Sequence, residues 1–178
     1  MPSAPLPSPQ ARWTGSYKGT MRHSQITALE KQFPRFACFL ADRRPVFVRL
    51  GLSGDKLLPP VSVEEIDALE AEVGVPLPTS YREFLGIARG ILLMGGEVSM
   101  YDTGLFFRPE PLPGAGMLCF ADFWMEDDGG QVLFDVRAGL NGDEEYPVLY
   151  YAHDVPAVTP LAASFRDWLE RVVPDEGR

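Results

Sequence analysis

The stretch from residue 60 to residue 90 constrains the fold most, because it carries two helix starts on either side of a Pro-Leu-Pro turn. Ser62 and Glu65 have the spacing of a capping box, in which a serine and a glutamate side chain satisfy free amides at a helix N-terminus. Ser80 and Glu83 repeat the pattern. The sequence therefore predicts two short helices, the first ended by Gly74 and the second by Gly90.

Strand-like runs follow these helices. Residues 117–121, 131–136 and 146–151 are apolar runs separated by turn sequences of Asp, Asn and Gly. Residues 98–107 are expected to add a strand near the sheet edge, and residues 161–173 have the spacing of a final amphipathic helix. Helices followed by strands and a closing helix predict an α+β fold, with helices packed on a mostly antiparallel β-sheet.

The amino-terminal third has a different character. Apolar side chains at three- and four-residue spacing over residues 24–41 predict an amphipathic helix, with Pro34 as its weak point. Residues 46–50 alternate in the manner of a short strand. The chain is therefore expected to have three parts: a Pro-rich flexible lead at 1–20, a basic segment with a helix and a short strand at 21–59, and a single domain at 60–178.

Charge is distributed unevenly along the chain. The net charge is −9, but residues 1–60 carry nine basic against three acidic residues, whereas residues 61–178 carry seven against twenty-two. This acidic balance argues against direct nucleic-acid binding, which needs clustered lysine and arginine. No apolar run approaches the length of a membrane span, and no signal peptide is evident. The two cysteines are predicted to be buried free thiols, as in the reducing cytoplasm.

Residues that could support catalysis are few. The only histidines are His23 and His153, and the latter adjoins Asp154, but neighbouring residues on an extended chain point to opposite faces. Neither cysteine has a partner at zinc-ligand spacing, and no phosphate-binding or nucleophile motif occurs. The sequence predicts no catalytic residue, no metal site and no cofactor, and hence a protein that is not an enzyme.

An acidic cluster stands out between residues 122 and 145, where eight acids accompany a single arginine. Acidic turns often serve solubility alone, but a carboxylate surface can also attract and steer a basic partner. An aromatic residue among such charges is typical of a binding anchor. The candidate partner-binding residues are Asp122, Trp124, Glu126, Asp127, Asp128, Asp143, Glu144 and Glu145.

The segment from Val63 to Leu85 resembles the opening of the SUKH superfamily, the Smi/Knr-type proteins. It carries Ile66 and Glu70 on the first helix, then Leu77-Pro78 and a Tyr-Arg-Glu-Phe-Leu run. A glycine-led strand at 129–135 and a closing Ser-Phe-Arg-Asp-Trp-Leu helix at 164–169 are similar to later parts of the family pattern. The family often has Asn-Gly-Gly after the second helix, where this chain has Ala-Arg-Gly-Ile.

The resemblance implies a single non-catalytic α+β domain that binds another protein. Many bacterial members are immunity proteins that neutralise a cognate toxin, often a nuclease, whereas fungal relatives are associated with cell-wall synthesis and signalling. Nuclease toxins have basic clefts, which suits the acidic composition of residues 61–178. We therefore expect a cytoplasmic bacterial immunity protein with a basic toxin domain as its partner, and a regulatory or scaffold protein as the alternative.

Overall fold

The computed structural model describes residues 22–50, 55–93, 98–100, 104–123, 130–154 and 156–171. The helices in this part are α1 (His23–Gln32), α2 (Pro34–Leu50), α3 (Val63–Val73), α4 (Thr79–Leu85) and α5 (Phe165–Arg171). The strands are β1 (Lys56–Leu57), β2 (Ile91–Leu93), β3 (Val98–Met100), β4 (Phe106–Phe107), β5 (Leu118–Phe123), β6 (Gly130–Phe134), β7 (Val148–Ala152) and β8 (Ala157–Ala162).

Helix α3 begins and ends where the sequence predicts. The Ser62 hydroxyl accepts a hydrogen bond from the Glu65 amide at 3.2 Å, and the Glu65 carboxylate accepts one from the Ser62 amide at 3.0 Å. Gly74 follows the helix in the left-handed conformation, with φ of 74°, which glycine adopts without steric cost. The capping box predicted for this helix is confirmed.

Helix α4 differs from its prediction at both ends. Pro78 occupies the N-cap position without a side-chain hydrogen bond, so Ser80 lies inside the first turn, and the predicted Ser80 cap is wrong. The physical reason is that the Ser80 hydroxyl donates to a distant carboxylate instead of serving its own helix. The helix also ends at Leu85, before the glycine at position 90.

The amino-terminal helical region contains two helices in place of the predicted one. The break falls at Phe33, beside the predicted weak point, and Pro34 takes the first position of α2, where its missing amide is not needed. Helix α2 continues to Leu50, so the strand predicted at residues 46–50 is wrong. A five-residue apolar alternation does not distinguish strand from helix, and extending a helix costs less than nucleating a new element.

The eight strands of the described chain form one antiparallel sheet in the order β1-β2-β3-β5-β6-β7-β8, with β4 also paired to β5. The predicted meander of β5, β6 and β7 is confirmed, as is the α+β class. The described part of residues 98–107 contains two strands, β3 and β4, in place of the single strand predicted near the sheet edge. Strand β3 pairs with both β2 and β5 and so lies inside the sheet, whereas β4 lies beside the main strand order and pairs with β5.

The main core lies between the helices and one face of the sheet. Its centre is aromatic: the rings of Tyr81 and Phe165 are 5.0 Å apart, and those of Phe120 and Phe134 stack at 4.1 Å. Phe33, at the break between α1 and α2, is fully buried in the same cluster. The first two helices therefore contribute to the core that the rest of the chain builds.

The two cysteines have opposite environments. Cys119 lies on β5 and is fully buried, as predicted, and burial raises the pKa of its thiol to about 12. Cys38 on α2 is exposed, so its predicted burial is wrong. Its thiol lies 3.6 Å from the Asp42 carboxylate one turn later, and that negative charge raises its pKa.

Candidate functional site

The structure separates the described members of the acidic cluster into two environments. Asp143 and Glu144 are exposed to solvent. Asp122 and Glu145 are buried, with 4% and 9% of their surfaces exposed. A buried carboxylate presents little surface to a partner, so only the first two offer charge at the surface. The remaining candidates, Trp124, Glu126, Asp127 and Asp128, lie outside the described residues and stay a prediction.

Strand β6 separates the two groups of described acids along the sheet. Asp122 pairs with Gln131 near the start of β6, whereas Phe134 at its end pairs with Val148. The loop that carries residues 143–145 lies beyond this second end.

Asn141 organises that loop. Its side-chain oxygen accepts hydrogen bonds from the backbone amides of Asp143 and Glu145, both at 2.9 Å. The backbone amide of Asn141 donates to the backbone carbonyl of Glu145 at 3.0 Å, and the backbone amide of Glu144 donates to the backbone carbonyl of Asn141 at 3.0 Å. Asparagine commonly forms such local bonds in turns. The loop is closed on itself, and Glu144 takes a left-handed conformation with φ of 58°.

The same loop is tied to the first turn of α4. Glu145 accepts hydrogen bonds from the amide and the hydroxyl of Ser80, each at 2.8 Å. Glu144 accepts one from the Thr79 hydroxyl at 3.0 Å through its side chain and one from the Thr79 amide at 3.0 Å through its carbonyl. The loop therefore supplies the partners for amides that a helix start leaves free.

An open cleft of about 360 Å³ lies where this loop meets α4 and the start of α5. Its lining is polar, and its acidic side chains outnumber its one arginine by four to one. The lining residues are Thr79, Ser80, Glu83, Asn141, Asp143, Glu145, Ala163, Ser164, Arg166 and Asp167. We call this feature the acidic cleft. It can accept a positively charged group by charge and by hydrogen bonding.

Arg166 is bound to one wall of the acidic cleft. Its guanidinium pairs with Glu83 at 2.5 Å, donates to the Gln32 carbonyl and lies 4.7 Å from the centre of the Phe33 ring. A guanidinium over an aromatic face is attracted by the ring quadrupole. The arginine is thus engaged by Glu83, by the Gln32 carbonyl at the end of α1 and by the Phe33 ring.

Of the ten residues that line the acidic cleft, only Asp143 and Glu145 were candidate site residues from the sequence. Thr79, Glu83, Arg166 and Asp167 line it but belong to segments far along the chain from the acidic cluster. The sequence pattern assigns Glu83 to a helix cap, and it assigns Arg166 and Asp167 to the outward face of an amphipathic helix with no functional role. No local pattern brings these segments together, because the contact is made by tertiary hydrogen bonds such as that from the Arg166 amide to the Ser80 hydroxyl, at 3.2 Å.

Other groups with possible chemistry are dispersed. His153 is exposed, and its ring meets that of Tyr151 edge-on at 4.8 Å. Within the described residues, no three side chains of His, Cys, Asp or Glu come together as metal ligands. None of the described helices is long and apolar enough to cross a bilayer.

Comparison with protein families identifies the domain. The sequence model of the SMI1 / KNR4 family (SUKH-1) matches residues 60–171, which is more than half of the chain. No curated protein matches the chain. The chain belongs to the SMI1 / KNR4 family.

Proposed function

We propose that this member of the SMI1 / KNR4 family is a non-catalytic protein-binding module, and that it is a bacterial immunity protein acting in the cytoplasm. Its partner would be a cognate toxin with a basic surface, for example a nuclease. Immunity-type roles are among those that membership of the family suggests. The choice of a basic partner rests on the charge of residues 61–178 and on the acidic cleft.

The acidic cleft is the observation that carries the proposal. Asp143 stands at its exposed rim, Glu144 is exposed on the same loop, and Asp167 lines it from α5. A lysine or arginine of the partner would enter there and meet carboxylates that the loop already holds in position. Pre-organised charges of this kind raise the association rate and discriminate against acidic proteins.

The toxin would be neutralised because the immunity protein occupies its active-site cleft. A basic active-site cleft that binds the carboxylates of this loop is no longer open to a phosphate backbone, so the acids act as a decoy for the substrate. In this proposal Trp124, Glu126, Asp127 and Asp128 extend the contact area with an aromatic anchor and further negative charge. No bond is made or broken by the immunity protein itself.

The test starts with affinity capture from the organism's own lysate on the tagged chain, followed by elution with increasing salt. The captured protein is then expressed with and without this chain. The proposal expects a basic protein that stops growth when expressed alone, and growth that recovers when the chain is co-expressed. A captured protein that is harmless when expressed alone would overturn the immunity function and favour the regulatory or scaffold alternative.

The site is tested separately with matched charge reversals. Asp143→Lys with Glu144→Lys reverses two exposed charges on the loop that borders the acidic cleft, whereas Glu30→Lys with Glu72→Lys makes the same charge change on exposed positions of α1 and α3. Only the first pair is expected to slow association and to lower the salt concentration at which the partner elutes. Equal effects of the two pairs would mean that net charge, and not this cleft, governs binding.

A further inference from the structure

The face of the sheet that points away from the helices is covered by a loop. Residues 108–117, which we call the strap, join β4 to β5. Beneath them is a small apolar cluster that is separate from the main core. Its buried members are Met117 of the strap itself and, on the sheet, Cys119, Leu133, Leu149 and Tyr151.

The strap is closed on itself by backbone hydrogen bonds. The Arg108 amide donates to the Met117 carbonyl, and the Gly116 amide donates to the Arg108 carbonyl, both at 3.0 Å. At its middle, Gly114 has φ of 76°, and a β-carbon there would lie 3.1 Å from Leu133 and 3.2 Å from Val158. The strap therefore approaches the sheet closely enough to need glycine at this point.

One side chain fastens the strap to the sheet. Arg108 is 5% exposed, an unusual burial for an arginine. Its Nε donates to the Pro113 carbonyl at 2.8 Å, its Nη1 donates to the Gln131 side chain, and its guanidinium lies 3.7 Å from the centre of the Tyr151 ring. It thus joins the strap to β6 and β7 at the same time.

Regions with few buried apolar contacts and little regular structure open at lower free energy than the core around them. The strap has no helix or strand between Arg108 and Met117, and it covers four buried side chains of the sheet, to which its own Met117 adds a fifth. The main core lies on the other side of the sheet, and its buried members include no residue of the strap.

We propose that the strap is a latched lid that opens as a unit without unfolding of the main core, and that Arg108 is its latch. Opening exposes the second face of the sheet, including Cys119. The inference is independent of the proposed partner, because it concerns only contacts within the chain.

Thiol labelling measures the opening directly. In a Cys38→Ser chain, Cys119 is the one cysteine left, so its rate of reaction with a small maleimide reports how often the strap opens. If the lid opens locally, the logarithm of this rate changes only slightly with urea below the unfolding midpoint, because little surface is exposed. A slope equal to that of global unfolding would overturn the proposal.

Arg108→Met tests the latch, with Arg137→Met as the matched control on an exposed arginine. Loss of the ring contact and of the hydrogen bonds from a charged group is expected to increase the labelling rate about tenfold or more. Arg108 itself lowers the pKa of the Cys119 thiol, so its removal alone would slow the reaction, and an acceleration reports opening. An unchanged rate would exclude Arg108 as the latch.

Gly114→Ala tests the same lid at the middle of the strap, away from Arg108. The added β-carbon is expected to press the strap away from Leu133 and to accelerate labelling, while the urea midpoint of the main core changes little. If both variants accelerate labelling only as much as they lower global stability, the strap and the core unfold together and the proposal fails.

Discussion

Both carboxylate oxygens of Glu145 accept hydrogen bonds from Ser80, one from its amide and one from its hydroxyl, each at 2.8 Å, although 65 residues separate the two along the chain. The Ser80 hydroxyl in turn accepts a bond from the Arg166 amide at 3.2 Å. One serine therefore joins the 141–145 loop, the start of α4 and the start of α5. These are the elements that form the acidic cleft.

Glu145→Gln is expected to destabilise the fold by about 1–3 kcal/mol. The glutamine side chain has one oxygen and one NH2 group, so the NH2 group must face either the amide or the hydroxyl of Ser80, and that donor loses its acceptor. Asp143→Asn, on an exposed side chain of the same loop, is expected to change stability by less than about 0.5 kcal/mol. Urea unfolding of both variants measures the difference. Equal destabilisation would mean that the buried carboxylate is not the group that holds the loop.

Gln25→Leu tests whether the amino-terminal helices are part of the folded unit. The Gln25 amide group donates to the carbonyls of Leu58 and Ile87, both at 2.9 Å, and is buried. Leaving both carbonyls unsatisfied is expected to cost about 2–4 kcal/mol. Ser24→Ala, on an exposed position of the same helix, is the control.

Hydrogen exchange on the Gln25→Leu chain then shows which elements of the fold lose stability. Because Phe33 and Phe165 pack edge-on in one core, with ring centres 6.3 Å apart, protection should fall in the strands as well as in α1. Loss of protection in α1 alone, with the strands unaffected, would show that the helices are an independent attachment.

Gly130→Ala is expected to destabilise the sheet by about 1–3 kcal/mol, because the added β-carbon would overlap the phenol ring of Tyr150 on the neighbouring strand. The clash should disappear when the ring is removed. A double-mutant cycle with Tyr150→Val measures this: the two substitutions together should cost less than their sum. If the free-energy changes of the two single variants are strictly additive, the destabilisation by Gly130→Ala arises in the strand backbone and not from a clash with Tyr150.

The Asp135–Arg137 pair has a definite pH dependence. Two side-chain hydrogen bonds from Arg137, both 2.7 Å, hold the pKa of the Asp135 carboxyl below its usual range. A carboxyl whose pKa is lower in the folded than in the unfolded chain stabilises the fold above the unfolded pKa, and this contribution is lost as the pH falls through the folded pKa. Arg137→Gln should therefore raise the pKa of Asp135 in an NMR titration. It should also reduce the part of the free energy of unfolding that is lost when Asp135 becomes protonated at low pH. An unchanged titration would show that the pair does not persist in solution.

Local signals in the sequence predicted the elements whose partners are also local. The α3 cap depends on Ser62 and Glu65, three residues apart, and the three-strand meander depends on runs separated by strong turn residues, so both were correct. The errors share one cause. Whether residues 46–50 form a helix or a strand, and whether Ser80 caps α4, depends on what each segment joins or touches elsewhere in the fold, which a window of a few residues does not contain.

The candidate site divides in the same way. The sequence by itself determined that the chain would carry a concentration of carboxylates around the sheet, and that a family domain would occupy residues 60–171. Only the tertiary structure decided which of these acids face solvent. Glu144 and Glu145 are the same residue type at adjacent positions, yet one is exposed and the other is buried, because the closed loop around Asn141 turns Glu145 toward the donors of Ser80.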